Sequence, residues 1–473
     1  MKDINNISSI YFLGIGGIGM SALARYFNQN NIKVSGYDKT ETALTKMLVA
    51  EGIPIHYTDD VNLINKNADI VVYTPAVPAG HAELNFYKNN NYTLLKRSDV
   101  LGLLTQNKYT IAVAGTHGKT TTSAMVAHIL THSQYGCTAF LGGIATNYVS
   151  NFLATTTLAK NKNIVVVEAD EYDRSFLKLQ PDIAIITSMD ADHLDIYGTV
   201  EKMEEAFIDF SKNIKSTGYL IVKSNLKRVK HLHGNTIDTY TTLDNNATIF
   251  IKNLEIKNGA YKFDVQHTLW HLQHVILHMG GLHNLENVVA AIAVAKYLKI
   301  DDAKILEAIN TFVGVKRRFE YVINPQIKNH NTLVDAPIMI DDYAHHPEEL
   351  RALLEGAKNL YPTKEIIIIF QPHLFSRTKD LASEFASVLT LAHETILLPI
   401  YPARELAMPG ITSQIISNKM NNCKVSVKEK NELLQYFAQN KNLNTNLFKN
   451  KIIITAGAGD IDTLVNPIKR LLQ

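Results

Sequence analysis

The sequence predicts an α/β protein organised in three regions around mostly parallel sheets. Three observations carry that expectation. Short β-rich apolar runs repeatedly pass through a glycine or acidic turn into a helical pattern, the signature of βαβ units. Two of those turns are rich in glycine, at residues 14–19 and 115–118. At 473 residues the chain also exceeds what one hydrophobic core normally supports, so two or three domains are expected.

The first unit runs from a strand at 10–13 through the glycines of 14–19 into a helix through Arg25, then to a strand ending near Asp38. A further strand at 70–73 ends at Thr74 and Pro75. The second region opens with a strand at 109–114, turns at 115–118 and enters a helix through Ala127 and Ile129, with later strands at 164–167 and 183–187. Residues 223–282 read as short strands and turns, after which Asn284 opens a long alanine-rich helix to Tyr297. The third region has strands at 338–341, 366–370, 395–399 and 452–456. Boundaries near 106 and 322 give domains at 1–105, 106–321 and 322–473.

Apolar residues make up 46% and charged residues 19% of the chain, and 47 basic against 45 acidic residues leave a formal charge of +2. Bulk charge therefore points to no polyanionic partner such as nucleic acid. The two cysteines, Cys137 and Cys423, match no metal-ligand spacing and cannot build a disulfide framework, which fits a reducing, cytoplasmic setting. A polar N-terminus running into a glycine-broken apolar stretch argues against a signal peptide, and no later run is long enough for a membrane span.

Residues 112–122 read Ala-Val-Ala-Gly-Thr-His-Gly-Lys-Thr-Thr-Thr, a strand, a glycine turn and a helix start in one run. Such a turn aims backbone N–H groups and the positive end of a helix at a phosphate, while a lysine reaches the terminal phosphates and a hydroxyl meets magnesium. Lys119 and Thr120 fill those two roles. Val113 stands where the standard phosphate loop requires its first glycine. A plain strand-turn-helix connection is the bland alternative, yet a Gly-Lys-Thr-Thr-Thr cluster is a poor choice for packing alone.

Phosphoryl transfer to an anionic acceptor crowds negative charge, so metal ligands are expected downstream. Two strand ends offer them, where 165–167 run into Glu168-Ala169-Asp170-Glu171 and 185–187 lead to Asp190-Ala191-Asp192-His193-Leu194-Asp195. Ligands in open α/β sheets gather at the carboxyl ends of strands. Glu168 and His193 are the metal candidates, although an acidic strand end taken singly also serves as a solvated loop or a helix cap. The glycine run at 14–19 matches the dinucleotide fingerprint, with Asp38 at about the spacing of a ribose-binding acid. Alone it reads as nicotinamide-dinucleotide binding, but any diphosphate can use the same turn and helix end.

With these residues the chain resembles the Mur ligase family of peptidoglycan synthesis along nearly its whole length. Beyond the runs already quoted, the carriers are Gly281-Leu282-His283-Asn284, Lys316-Arg317-Arg318-Phe319, Asp341-Asp342-Tyr343-Ala344-His345-His346-Pro347 and Phe370-Gln371-Pro372-His373-Leu374-Phe375-Ser376-Arg377-Thr378. The resemblance implies three domains: a Rossmann-like N-terminal domain for a UDP-sugar, a central phosphate-loop ATPase-like domain, and a Rossmann-like C-terminal domain that closes over the site. It implies that Gly115, Thr116, His117, Gly118, Lys119, Thr120 and Thr121 hold ATP, with Thr120, Glu168 and His193 on Mg²⁺. Asn284 and Arg318 are implied on the nucleotide, and Asp342 on its ribose. Gly14, Gly16, Gly17 and Gly19 pass to the UDP diphosphate, with Asp38, Thr74, Pro75, Ala76 and His81 lining the same pocket. Tyr343, His345, His373 and Arg377 are implied to face the incoming amino acid.

The implied reaction activates the lactyl carboxylate of UDP-N-acetylmuramate as an acyl phosphate, from which the amine of L-alanine displaces phosphate. Lys119, Glu168, His193, His345 and Arg377 form the implied catalytic set, in a monomer or homodimer, and the acceptor of the amine's proton stays open. Bland readings stand beside several roles. Asn284 is also a good helix N-cap, Arg317-Arg318 a solvated basic pair, and His345-His346-Pro347 a turn into a helix with Pro347 first. Arg377 offers the planar fork a carboxylate needs, which a surface salt bridge would use equally. Relatives often carry a basic residue at Leu374 and a small one at Arg404. Some members use a modified lysine after the histidine ligand, where this chain has Phe207 and Ile208, so no carbamylated lysine is expected. Rival readings are a recycling ligase that attaches a tripeptide to the same sugar nucleotide, a folate-type ligase, a nicotinamide oxidoreductase and a nucleotide sensor without catalysis.

Overall fold

Isoleucine, valine and phenylalanine dominate the strands, as parallel strands covered on both faces require. The structure, a computed structural model, describes residues 4–154, 163–190, 194–242, 246–257, 259–324, 337–403, 405–421, 423–443 and 448–473. The first sheet contains β1 (Ser9–Leu13), β2 (Lys33–Tyr37), β3 (Ile55–His56), β4 (Ile70–Tyr73) and β5 (Leu94–Lys96), with helices α1 (Ile18–Gln29), α2 (Ala43–Ala50), α3 (Ala82–Asn89) and α4 (Arg97–Thr105). Its order is β3-β2-β1-β4-β5, all pairs parallel. Strand order therefore reverses between β1 and β4, and a crevice opens beyond their carboxyl ends.

The second region carries β6 (Tyr109–Ala114), β7 (Thr138–Ala145), β8 (Ser150–Ala154), β9 (Ile164–Ala169), β10 (Ile183–Ile186), β11 (Tyr219–Lys223) and β12 (Thr236–Thr241). The order β12-β11-β10-β6-β9-β7-β8 is parallel throughout except for the β7–β8 hairpin at the edge. Strands β13 (Ile249–Lys257), β14 (Ala260–His267) and β15 (His271–Leu277) follow, and the helices are α5 (Lys119–His132), α6 (Leu194–Tyr197), α7 (Val200–Lys212), α8 (Leu282–Tyr297) and α9 (Asp302–Thr311). Helix α8 starts two residues before the expected Asn284. Phe207 and Ile208 are buried in the core.

The third sheet contains β16 (Glu320–Ile323), β17 (Ile338–Asp342), β18 (Glu365–Phe370), β19 (Glu394–Leu397), β20 (Lys424–Val427) and β21 (Lys451–Ala456), ordered β16-β17-β21-β18-β19-β20 with only β16 antiparallel. Helices α10 (Pro347–Leu360), α11 (Phe375–Asp380), α12 (Ala382–Leu389), α13 (Gln414–Ser417), α14 (Lys430–Leu443) and α15 (Asp462–Leu472) complete it. Pro347 takes the first helical position of α10 behind His346, as the bland reading of that run has it.

The chain divides into two compact units, residues 1–252, 265–273 and 286–311 in one, and 253–264, 274–285 and 312–473 in the other. The first unit holds the first sheet and β6 to β12 on one continuous core, in which Phe27, Phe140 and Phe152 are buried around Tyr26. Burial of each such side chain stabilises by about 1.5–3 kcal/mol. Polar ties reinforce it. Arg25 on α1, 3% exposed, pairs with Glu51 at 2.6 Å and donates to Asn151 Oδ1, while Asn151 Nδ2 donates to Ile18 O at 2.5 Å. A buried guanidinium left without these acceptors would be strongly destabilising, so α1 and its glycine turn are fixed relative to β8. That fixes the first glycine turn relative to the second.

Candidate functional site

The first glycine turn joins β1 to α1 beside the end of β4. Gly14 has φ +82°, and a Cβ there would fall 2.6 Å from Thr74 Cγ2, so the crevice between β1 and β4 needs glycine for both backbone and space. Asp38, just beyond β2, accepts the Gly16 N–H on Oδ2 at 2.7 Å and the Thr40 N–H on Oδ1 at 3.2 Å. The expected ribose acid therefore also braces the turn. His81 is buried, caps α3 by accepting the Leu84 N–H at 3.4 Å, and lies 3.2 Å from Asp59 Oδ1. Burial lowers its pKa, opposed by Asp59.

The second turn follows β6, which lies between β10 and β9. Register pairs Val113 with Glu168 and Ala114 with Ile186, so the ends of both neighbouring strands flank the turn. Gly115 has φ +136°, and a Cβ there would fall 2.1 Å from Thr187 Oγ1. Thr116 spends its hydroxyl on Ser188 Oγ at 2.9 Å, and the His117 N–H goes to the same oxygen at 2.7 Å. These two groups shape the loop from within. Thr121 is buried on α5 behind it.

At the start of α5, Lys119 Nζ lies 2.8 Å from Glu171 Oε2 and donates to Gly115 O at 2.5 Å. Thr120 Oγ1 donates to Glu168 Oε2 at 3.2 Å, and Glu168 Oε1 accepts the Gly142 N–H at 2.5 Å. Burial raises the Glu168 pKa, while the Gly142 N–H, Lys119 and Thr120 pull it back. Thr120 and Glu168 thus present adjacent hard oxygens, the kind of donor Mg²⁺ takes together with phosphate oxygens. The third metal candidate, His193, lies outside the described residues, as does Arg404.

The first turn opens into a cleft of about 890 Å³ that Lys119, just beyond the second turn, also lines. Gly14, Gly16, Gly17, Gly19, Asp38, Thr74, Ala76 and His81 line it together with Lys119 and Glu168, while Pro75 does not. Arg97 also lines it, donating to Asp170 Oδ2 at 2.9 Å between the two turns.

In the second unit, Asp342, Ala456 and Phe370 stand side by side at the carboxyl ends of β17, β21 and β18. Asp342 accepts the Phe319 and Ala344 N–H groups, both at 2.7 Å, and burial pushes its pKa up to about 6. The tight bends at Arg317 and Phe319 bring both guanidinium groups over the Tyr343 ring, at 5.0 Å for Arg317 and 5.7 Å for Arg318. His345 Nδ1 lies 2.9 Å from Tyr343 O. A carbonyl can only accept, so Nδ1 carries the proton and Nε2 is left as an acceptor. Burial lowers the His345 pKa, against the pull of Glu349 and with a contribution from Arg377. The His345 and His373 rings are 5.9 Å apart. Arg377 Nη1 is buried without a hydrogen bond, and no carboxylate pairs with this guanidinium among the described residues. The surface salt-bridge reading of Arg377 therefore lacks a partner there. Asn284 sits inside the first turn of α8, its amide donating to Gly280 O at 2.6 Å, so it is not the N-cap.

Three supporting residues escaped the sequence reading. Glu171 holds Lys119, Asn287 Oδ1 accepts from Thr122 Oγ1 at 3.1 Å, and Ser188 gathers the loop. Signals existed for two of them: Glu171 ends the acidic run, and Asn287 follows Asn284 at helical spacing.

Residues 9–109 match the description "Mur ligase family, catalytic domain", 113–295 "Mur ligase middle domain", and 317–459 "Mur ligase, glutamate ligase domain". The chain is 44% identical over 476 residues to the UDP-N-acetylmuramate–L-alanine ligase of Cytophaga hutchinsonii, covering 100% of this chain and 98% of that one. It is 45% identical over 475 residues to the enzyme of the same name from Flavobacterium johnsoniae, covering 100% and 99%. The crystal structure of the UDP-N-acetylmuramate–alanine ligase of Thermotoga maritima superposes with a TM-score of 0.80 at 30% identity, covering 98% of both chains.

Proposed function

The chain belongs to the Mur ligase family, and we propose that it uses ATP to join L-alanine to the lactyl carboxylate of UDP-N-acetylmuramate in peptidoglycan synthesis. The observation that carries this reading is one cleft lined by the diphosphate-type turn together with Lys119, which follows the phosphate loop, and the metal candidate Glu168. A sugar nucleotide held at Gly14, Gly16, Gly17 and Gly19, with Asp38, Thr74, Pro75, Ala76 and His81 around it, directs its carboxylate toward Lys119.

A free carboxylate resists attack by an amine, so it is first phosphorylated. One carboxylate oxygen attacks the γ-phosphorus of ATP, the bond to ADP breaks, and Lys119 with the loop N–H groups offsets the charge that accumulates. Thr120, Glu168 and His193 would hold Mg²⁺, which would supply positive charge against the phosphate oxygens. Asn284, Arg318 and Asp342 are assigned to the nucleotide. Arg377 receives the carboxylate of L-alanine beside Tyr343 and His373, and His345 Nε2 takes the proton of its amine. The amine then attacks the acyl carbon, and phosphate leaves with the former carboxylate oxygen. Domains at 1–105, 106–321 and 322–473, in a cytoplasmic monomer or homodimer, belong to the same proposal, supported by the three family matches and two free thiols. Among the described residues no helix is long and apolar enough to cross a membrane.

Phosphate release from ATP, UDP-N-acetylmuramate and Mg²⁺ tests the reading, with L-alanine compared against L-alanyl-γ-D-glutamyl-diaminopimelate. Turnover with alanine is expected. Turnover with the tripeptide alone would transfer the chain to the recycling reaction, and none with either would favour a nucleotide sensor.

A further inference from the structure

Lys119 is the cation the phosphate loop offers a nucleotide, yet its ammonium is already fully engaged. Nζ lies 2.9 and 2.8 Å from the two Glu171 carboxylate oxygens and 2.5 Å from Gly115 O. An ammonium has three N–H donors, so this set exhausts them. Glu171 is 1% exposed and the Lys119 side chain 16%, so the carboxylate has no water to turn to in place of the lysine. The Glu171 backbone is fixed independently, its carbonyl accepting the Tyr197 hydroxyl at 2.6 Å and the Arg174 N–H at 2.9 Å.

We propose that Glu171 is a latch on the phosphate loop, an internal carboxylate that occupies Lys119 and must release it before the lysine can bind the terminal phosphates of a nucleotide. A phosphate oxygen gains the ammonium only by displacing Glu171. Release then leaves a buried carboxylate close to a triphosphate, and both effects weaken binding. The latch keeps the loop lysine paired until the competing charge arrives, which ties nucleotide binding to a movement of this side chain. Glu171 is thus a positioning residue, acting through Lys119. This role rests on the nucleotide reading of the loop.

Calorimetric titration of the full chain with the Mg²⁺ complex of a non-hydrolysable ATP analogue tests it. Glu171→Gln is expected to bind at least about tenfold more tightly than the wild type, or about 1.4 kcal/mol, while its ligand-free form melts at a lower temperature. In turnover, KM for ATP falls while KM for L-alanine stays constant. A merely structural role would lower stability and affinity together. Equal or weaker binding by folded Glu171→Gln would overturn the latch. Should that variant fail to fold, Glu171→Asp, whose carboxylate is withdrawn by one methylene, is expected to show a smaller tightening, and its absence would overturn the proposal equally. No binding by the wild type would instead overturn the nucleotide reading itself.

Discussion

Replacing Arg377 by alanine should raise KM for the amino-acid substrate by roughly 12- to 140-fold with little change in thermal stability. The magnitude follows from the side chain's surroundings. Its Nη1 is buried yet makes no hydrogen bond, so the deletion breaks no bond of that nitrogen that holds the fold. A charge-assisted hydrogen bond to a substrate carboxylate contributes about 1.5–3 kcal/mol, and about 1.4 kcal/mol corresponds to a factor of ten. Arg377→Lys keeps the charge and loses the planar fork, so part of the affinity returns. A second signature follows from His345, whose pKa Arg377 helps to lower. Without that cation the imidazole protonates at higher pH, and the acid limb of the rate profile shifts upward. Phosphate release is measured against L-alanine at saturating ATP and sugar nucleotide, across the neutral pH range. An unchanged KM for alanine with a raised KM for ATP would show that Arg377 serves the nucleotide, refuting the assignment.

Gly115→Ala places a Cβ 2.1 Å from Thr187 Oγ1 at φ +136°. The backbone strain alone costs about 1–3 kcal/mol, and nucleotide binding measured by calorimetry should fall by roughly tenfold or more, with the circular dichroism spectrum nearly unchanged; retained affinity would contradict the close approach. Glu83, fully buried and bonded by the Tyr11 hydroxyl at 2.7 Å, has its pKa raised from 4.5 to about 7 by burial. The folded state therefore holds a proton that the unfolded chain releases above about pH 4.5, so this group's contribution to stability is present at low pH and lost as pH rises through about 7. Glu83→Gln should flatten that slope in thermal melts across the window, and an unaltered slope would mean the carboxyl titrates normally. Chelation should abolish turnover of the wild type, with Mg²⁺ restoring it, and Glu168→Gln should raise the Mg²⁺ concentration needed for half-maximal rate. An unshifted requirement would remove Glu168 from the metal site.

The strongly apolar strands were legible because burial on both faces demands Ile and Val runs, and β4, β6, β18 and β21 begin and end within a residue of their expected positions. Strands β3 and β5 have 2 and 3 residues, too few to carry a period. The alternative reading of Asn284 as an N-cap fails because capping preference says nothing of a helix that begins earlier, here at Leu282. Lys119 and Thr120 were readable as a contiguous motif. Glu168, the partner of Thr120, was readable as an acid at a strand end, but the pairings of Lys119 with Glu171 across 52 residues and of Thr122 with Asn287 across 165 were not, because only the folded sheet order brings such pairs together. Asp38 and Asp342 were legible as acids at strand ends, but their bracing of backbone N–H groups depends on loop conformation that no local pattern encodes.

The central chemistry is activation of a carboxylate through an acyl phosphate. Synthesis of UDP-N-acetylmuramate with ¹⁸O in its lactyl carboxylate, followed by turnover with ATP and L-alanine, tests it most directly by mass spectrometry of the released phosphate. One ¹⁸O atom in each inorganic phosphate is expected, because the carboxylate oxygen that attacks ATP departs with the phosphoryl group. Amide product formed with unlabelled phosphate would contradict the acyl phosphate route.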